Sequence, residues 1–310
     1  MSKKMSRREW SHLSLAGLAG LMLPSALVSC KTSSALPGAV KGTAAAKAAA
    51  SDLGIVLGTQ SYSFRDRSLD EAIKAMNQLG LTSCELWQGH VEPKEFMRNR
   101  DNIKSWRSTV SMNEFKAIRD KFEKAGIVIQ AYSSGFKDNI TDEEIDFVFR
   151  LAQALGTNTI TSSATVNVMK RVDPFARKYK TKVGMHNHSN LTDPNQFATP
   201  DSFMRAMQGN SDYIRINLDI GHFTAAGFDA VDFLRKNHEK IVCIHIKDRK
   251  KNLGDNVPLG EGDTPIVEVL QMIRDNKWPI PANIEYEYKG DDTVVEVKRC
   301  IDYCKNALGK

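Results

Sequence analysis

The chain has 310 residues, 41% hydrophobic and 26% charged, which is enough apolar side chain for a sizeable core and excludes disorder by composition. Past the first 30 residues no apolar run approaches the ~20 that span a bilayer, so a polytopic membrane protein is excluded. The net charge is +6, but Lys3, Lys4, Arg7 and Arg8 against Glu9 supply half of it, and only the short run Lys247–Lys251 concentrates charge elsewhere, so no nucleic-acid partner is expected.

The N-terminal basic residues precede an apolar run from Leu13 to Val28, the layout of an export signal. That run ends Leu27-Val28-Ser29-Cys30, which resembles a bacterial lipobox with Cys30 as the lipidated residue. Ser6-Arg7-Arg8-Glu9-Trp10 resembles a twin-arginine signal, with Trp10 where Phe is usual. Residues 31–51 lack apolar periodicity and read as a flexible tether. The expected organisation is a signal peptide over 1–30, a tether over 31–51 and a catalytic domain over 52–310. This describes a periplasmic lipoprotein of the bacterial cell envelope that touches the membrane only through its lipid. Cys84 and Cys243 sit in strand-like apolar runs and read as buried hydrophobes; Cys300 and Cys304, at helical spacing, do not predict a disulfide.

From Leu53 onward β-branched runs alternate with amphipathic segments eight times. Strands are expected at Ile55–Ser61, Ser83–Trp87, Val128–Ser133, Thr157–Ser162, Lys182–His188, Ile214–Ile220, Ile241–Lys247 and Asn283–Tyr288. Ser68 with Glu71, and Thr141 with Glu144, have capping-box spacing; Asp173-Pro174 and Thr199-Pro200 each place a capping residue before Pro at a helix start. Gly80, Gly126 and Gly156 close three helices. Strands separated by helices pair in parallel. Eight such units in ~255 residues fit an α/β (β/α)8 TIM barrel better than an open sheet, since no GxGxxG turn follows the first strand.

Chemistry in such a barrel gathers at the C-terminal ends of the strands. His90, His186, His188, His222 and His245 fall there, as do Glu85, Asp219, Glu285 and Glu287, whereas His238 falls in a helix. Residues i and i+2 share a strand face, so His186 pairs with His188, His245 with Lys247 and Glu285 with Glu287. Facing inward, His186, Asp219, His245 and Glu285 could converge on one divalent cation, with Mn, Zn, Co and Fe all suited to two imidazoles and two carboxylates.

These segments resemble the xylose isomerase-like TIM barrels, the superfamily of sugar phosphate isomerases/epimerases and endonuclease IV. The likeness runs from about Leu53 to the C-terminus. It is carried by Leu218-Asp219-Ile220-Gly221-His222, His245-Ile246-Lys247-Asp248, Pro258-Leu259-Gly260-Glu261-Gly262-Asp263 and Ile284-Glu285-Tyr286-Glu287. The resemblance implies a metal set of Glu, Asp, His and Glu from strands five to eight; the last three fall on Asp219, His245 and Glu285. His186 stands where the first Glu is expected, so the family's exchange between two metal-bound glutamates does not transfer intact. The Asp and His that endonuclease IV adds as zinc ligands would fall on Gly254 and Asn256, so by this resemblance the third metal loses ligands.

What survives is proton abstraction beside the carbonyl of a keto-sugar through a metal-held enediolate, that is, isomerase or epimerase chemistry. The same step opens a 3-keto-glycoside lyase or 2-hydroxyglucal hydratase reaction. A tethered sugar-binding protein without chemistry is the reading from another class. Glu285, Glu287, His188 and Lys247 are the candidate catalytic residues. Lys247 either binds a developing oxyanion or pairs with a neighbouring carboxylate. Glu85, Trp87, His90, His222 and Glu261 are the candidate substrate contacts, with Trp87 stacking on a sugar face or packing the rim. Tyr62 and Phe64 read as site wall, Asn187 and Arg215 as structural.

Overall fold

The computed structural model describes residues 52–310. The expected signal peptide, the expected lipidation at Cys30 and the expected tether lie outside them. Eight strands follow one another: β1 (Leu57–Gln60), β2 (Ser83–Trp87), β3 (Val128–Ser134), β4 (Thr159–Ser162), β5 (Lys182–His186), β6 (Ile214–Asp219), β7 (Ile241–Ile246) and β8 (Ala282–Ile284). Neighbours along the chain pair in parallel, and β1 pairs with β8, Leu57 opposite Ala282 and Thr59 opposite Ile284, so the sheet closes on itself. Parallel neighbours require a crossover between them, and helices supply it.

The pleat sorts side chains by face. Leu86, Ile160, Ile216, Leu218, Ile244 and Ile246 are fully buried under the helical shell. Their strand neighbours point to the barrel axis, and there the interior is polar: Thr161 Oγ1 donates to Glu85 Oε1 at 2.6 Å and Asn283 Nδ2 donates to Glu85 Oε2 at 3.0 Å. Burying such groups is costly unless they are bonded, and here both oxygens of Glu85 are bonded.

Helix starts follow local chemistry at three of the four places expected. Ser68 with Glu71 and Thr141 with Glu144 form capping boxes, and Thr199 caps the helix that begins at Pro200. Asp173-Pro174 is the correction. The helix there spans Met169–Tyr179, with Pro174 inside it. Asp173 does not cap a helix. Its Oδ1 accepts from the backbone N–H of Ser211 at 3.0 Å and from the Ser211 hydroxyl, which ties the helix to the segment before β6. Gly80, Gly126 and Gly156 end their helices at φ of +70°, +71° and +82°, the left-handed region where a side chain is strained.

Six strands are shorter than expected: β1 covers only Leu57–Gln60 and β4 only Thr159–Ser162, and four others lose their C-terminal residues. β5, β6, β7 and β8 stop at His186, Asp219, Ile246 and Ile284, so His188, Lys247, Glu285 and Glu287 leave the sheet and line the mouth.

Candidate metal centre and active site

Four consecutive strands each deliver one ligand-type side chain to the same point. His186 ends β5, Asp219 ends β6 opposite His245 of β7, and Glu285 follows β8 with its N–H donating to Ile246 O at 3.1 Å. One ligand atom from each of the four lies within 4.8 Å of the others. His186 Nε2 is 3.5 Å from Asp219 Oδ2 and 4.0 Å from Glu285 Oε2. His245 Nδ1 is 2.9 Å from Glu285 Oε2 and 3.9 Å from Asp219 Oδ2. All four residues are buried.

The donor set fits a divalent cation. Both ring nitrogens of His186 are buried without a hydrogen-bond partner, and Oδ2 of Asp219, 3.5 Å from His186 Nε2, has only its ion pair with Lys247 at 3.1 Å. A buried polar atom left unsatisfied costs about 1–3 kcal/mol, and these face one another. Imidazole nitrogens with carboxylate oxygens suit Mn, Fe, Co or Zn.

The surroundings hold these ligands in place. Asp219 Oδ1 accepts from the His222 N–H at 2.7 Å, while Asn187 donates to Asp219 O at 3.0 Å and accepts from Asp219 N–H at 2.9 Å. His245 Nε2 lies 2.8 Å from Glu85 Oε2. Burial alone would favour neutral His245, but Glu85 and then Glu285 outweigh it and hold the ring's pKa well above the usual imidazole value. Glu285 and Asp219 are pushed well below the carboxylate range: burial opposes this, and Lys247, the largest favourable contributor at both, outweighs it.

Lys247 occupies the layer above. Its Nζ lies 2.6 Å from Glu287 Oε2, 2.9 Å from Glu285 Oε2 and 3.1 Å from Asp219 Oδ2. Burial works against the ammonium, yet Asp219, Glu285 and Glu287 together raise its pKa, so it is a permanent cation. Of the two roles expected for Lys247, pairing with carboxylates is the one the geometry displays.

The sequence of residues 73–306 matches the profile of the xylose isomerase-like TIM barrel. The chain belongs to that family. Among curated relatives, the L-ribulose-5-phosphate 3-epimerase UlaE of Escherichia coli is 28% identical over 102 residues, 33% of this chain and 36% of the relative's length. Two solved structures share the fold. The 3-keto-D-glucoside 4-epimerase YcjR of E. coli has a TM-score of 0.61 at 13% identity, covering 81% of this chain and 99% of that one. IolI, crystallised with a bound zinc atom, has a TM-score of 0.61 at 15% identity, covering 82% and 98%.

In this xylose isomerase-like barrel several expected substrate contacts do other work. Glu85 is fully buried beneath His245, its carboxylate shared among His245, Thr161 and Asn283, so it does not reach the mouth. Glu261 is exposed on a loop that borders a separate cavity of about 490 Å³, shared with Tyr288 and Tyr303. That loop is pinned by Asp248, whose Oδ2 accepts from the N–H groups of Gly260 at 2.8 Å and Gly262 at 2.9 Å. A Cβ at Gly262 would collide with the Asp248 carboxylate. Sequence reasoning misses the Asp248 role, because the turn that Asp248 holds begins 12 residues further along the chain.

His90 is also engaged within the chain. Its Nε2 faces Phe64 O at 3.2 Å and its Nδ1 faces Ser61 Oγ at 3.0 Å. A carbonyl only accepts, so Nε2 carries the proton and Nδ1 accepts from Ser61. Burial, then Lys94, depresses its pKa to about 4. The folded value lies below the unfolded ~6.5, so stability is complete above pH ~6.5 and falls as pH drops toward 4, by about 3 kcal/mol in all. His90→Gln should flatten that acid limb in thermal melts between pH 4 and 7; parallel curves for both proteins would refute the assignment.

Three rim residues remain at the mouth. Trp87 is half-buried, edge-on to Tyr62 at 5.0 Å, with Lys94 Nζ 5.4 Å from its ring. His188 lies 4.8 Å from the His186 ring and 5.3 Å from the His222 ring. Burial first, then the charge of His186, depresses the His188 pKa to about 3. His222 Nδ1 is 2.7 Å from Arg249 Nη1, and Arg249, another residue that sequence reasoning misses, also donates to Ser189 Oγ at 2.7 Å.

Proposed function

We propose that this chain is a divalent-metal-dependent isomerase or epimerase that removes the proton beside the carbonyl of a keto-sugar. The observation that carries the reading is the convergence of His186, Asp219, His245 and Glu285 within 4.8 Å, with both buried ring nitrogens of His186 left without a hydrogen-bond partner. An ion held there supplies Lewis acidity to a carbonyl oxygen. The chain's own residues do the proton work. Glu287, one quarter exposed and 2.6 Å from Lys247, is the base at the mouth. His188, with a pKa near 3, is too weak a base at neutral pH and serves as a neutral hydrogen-bonding group. The proton passes from carbon to the Glu287 carboxylate while the electron pair moves onto the carbonyl oxygen, and the Lys247 ammonium, paired with Glu287, Glu285 and Asp219, holds the base in place. Return of the proton to the neighbouring carbon is isomerisation. Return to the same carbon on its opposite face is epimerisation. The names of UlaE and YcjR, both epimerases, support this class of reaction.

One observation favours a second reading. His186 replaces the second acid/base carboxylate, and β-elimination from a 3-keto-glycoside needs only the first proton removal. The lipobox supports an exported enzyme anchored through Cys30 that meets its sugar outside the cytoplasm.

Proton NMR in D₂O on the zinc-loaded protein, with a ketohexose and a 3-keto-glucoside, tests the assignment. Metal-dependent loss of the signal beside the carbonyl with a new epimer or isomer is the expected result. Release of the aglycone moves the assignment to the lyase; no exchange on either sugar leaves a binding protein.

A further inference from the structure

β8 ends at Ile284, so Glu285 and Glu287 stand outside the sheet, with the Glu285 N–H to Ile246 O at 3.1 Å as the bond that continues the ladder. A buried backbone that leaves a sheet needs other partners for its N–H and C=O groups. The turn after β1, Ser61–Phe64, supplies them. Ser63 is fully buried, and its hydroxyl donates to Ile284 O at 3.2 Å while accepting from the Tyr286 N–H at 3.0 Å. One hydroxyl thus fixes both peptide groups attached to the Glu285 Cα, with its single hydrogen on one and a lone pair on the other. Thr59 Oγ1 adds a second bond to Ile284 O at 3.0 Å. Two residues on, Arg65 Nη1 donates to Tyr286 O at 2.9 Å, the carbonyl of the peptide that leads into Glu287, and to Tyr62 O at 3.3 Å. Arg65 is half-buried, its guanidinium 4.8 Å from the Tyr62 ring centre and 5.5 Å from that of Tyr286. Its neighbour Arg67 pairs with Asp292, whereas among the described residues no carboxylate oxygen comes within the 4.0 Å of an ion pair to Arg65. The Arg65 charge is directed at carbonyl oxygens instead.

We propose that this turn is the positioning device of the site: Ser63 sets Glu285 as a ligand, and Arg65 sets Glu287 as the base. The roles of Glu285 and Glu287 belong to the enolisation reading, on which this proposal rests. A glutamate carboxylate swings with any rotation of the peptides that flank its Cα, and Glu285 Oε2 has to stay 2.9 Å from both His245 Nδ1 and Lys247 Nζ. A reacting group misplaced by about 1 Å costs on the order of 10²-fold in rate. Ser63 and Arg65 act on different carboxylates, so their effects separate: loss of Ser63 loosens the metal, and loss of Arg65 slows proton transfer with the metal retained.

Two measurements on the full chain test this: cobalt(II) titration read by visible absorption, and deuterium exchange by the zinc-loaded protein on a ketohexose and a 3-keto-glucoside. Ser63→Ala should weaken cobalt binding by about 10–100-fold, the effect of removing a group that orients a ligand, and shift the absorption band. Arg65→Met should leave cobalt affinity and band unchanged and lower exchange at saturating sugar by at least ~10-fold. Thermal melts of the metal-free proteins check the fold. Where Ser63→Ala does not fold, Ser63→Cys, which keeps a weak donor and acceptor, should show the same changes in smaller measure. Wild-type cobalt affinity and band in the Ser63 variants, or wild-type exchange in Arg65→Met, overturns the proposal, as does equal loss of cobalt in the Ser63 and Arg65 variants. Wild-type protein that takes up no cobalt refutes the metal-dependent reading and this proposal with it. Cobalt uptake that depends on Ser63, without exchange on either sugar, refutes the enolisation reading and leaves Ser63 standing as the residue that positions Glu285.

Discussion

Glu285→Gln should lower metal-dependent proton exchange by on the order of 10³-fold while leaving sugar affinity largely intact. The substitution keeps shape and removes one negative charge from the point where four ligand-type residues meet. Glu285 Oε2 sits 2.9 Å from His245 Nδ1, 2.9 Å from Lys247 Nζ and 4.0 Å from His186 Nε2. An amide there is a poor ligand for a hard or borderline cation, and Lys247 loses one of its three carboxylate partners. Two measurements read the result: bound metal per chain by elemental analysis, and deuterium exchange beside the substrate carbonyl. Unchanged metal content together with full exchange would sink the assignment of this cluster as the active centre.

The second large effect is at Glu85. In the metal-free chain His245 is flanked by Glu85 on Nε2 and Glu285 on Nδ1, and it keeps its proton well above the ordinary range. Because the folded pKa is raised, this contribution to stability is fully present below the unfolded value of ~6.5 and is lost as pH rises through the folded value. A metal on Nδ1 must displace that proton, so loading strengthens as pH rises. Glu85→Gln removes the larger of the two charges that retain the proton. The expected result is a metal-uptake curve whose midpoint moves to lower pH, with affinity at high pH weakened about 10–100-fold because the imidazole loses a carboxylate that orients it. Truncation is harsher. Glu85→Ala strips a fully buried carboxylate from His245, Thr161 and Asn283 and should destabilise the domain by about 3–5 kcal/mol in denaturant titrations. Wild-type metal affinity in Glu85→Gln at every pH would show that Glu85 has no part in orienting His245.

Both effects illustrate how local and tertiary information divide in this family. Strand positions, capping boxes and the inward pairing of His245 with Lys247 come from periods of two and three to four residues, which any short stretch of chain carries in itself. So the eight strand sites, the capping at Ser68 and Thr141, and the ligand-type residues at the ends of β5 to β8 are legible in the chain. Asp173-Pro174 is not, because the Asp173 carboxylate is claimed by Ser211, 38 residues away.

The roles of individual mouth residues are settled at longer range. Whether Glu85 meets a sugar or His245 depends on how a closed barrel brings β2 across from β7, a distance of 160 residues in sequence. His90 is kept from the mouth by Ser61 and Phe64, which enclose it, and Glu261 by Asp248, which draws its loop aside. The barrel and the chemical types at its rim are already written in the linear chain, since they follow from backbone periodicity and side-chain identity. Which rim residues converge on one point, and which support them from below, emerges only when the sheet closes, because register across the barrel axis is a property of all eight strands together.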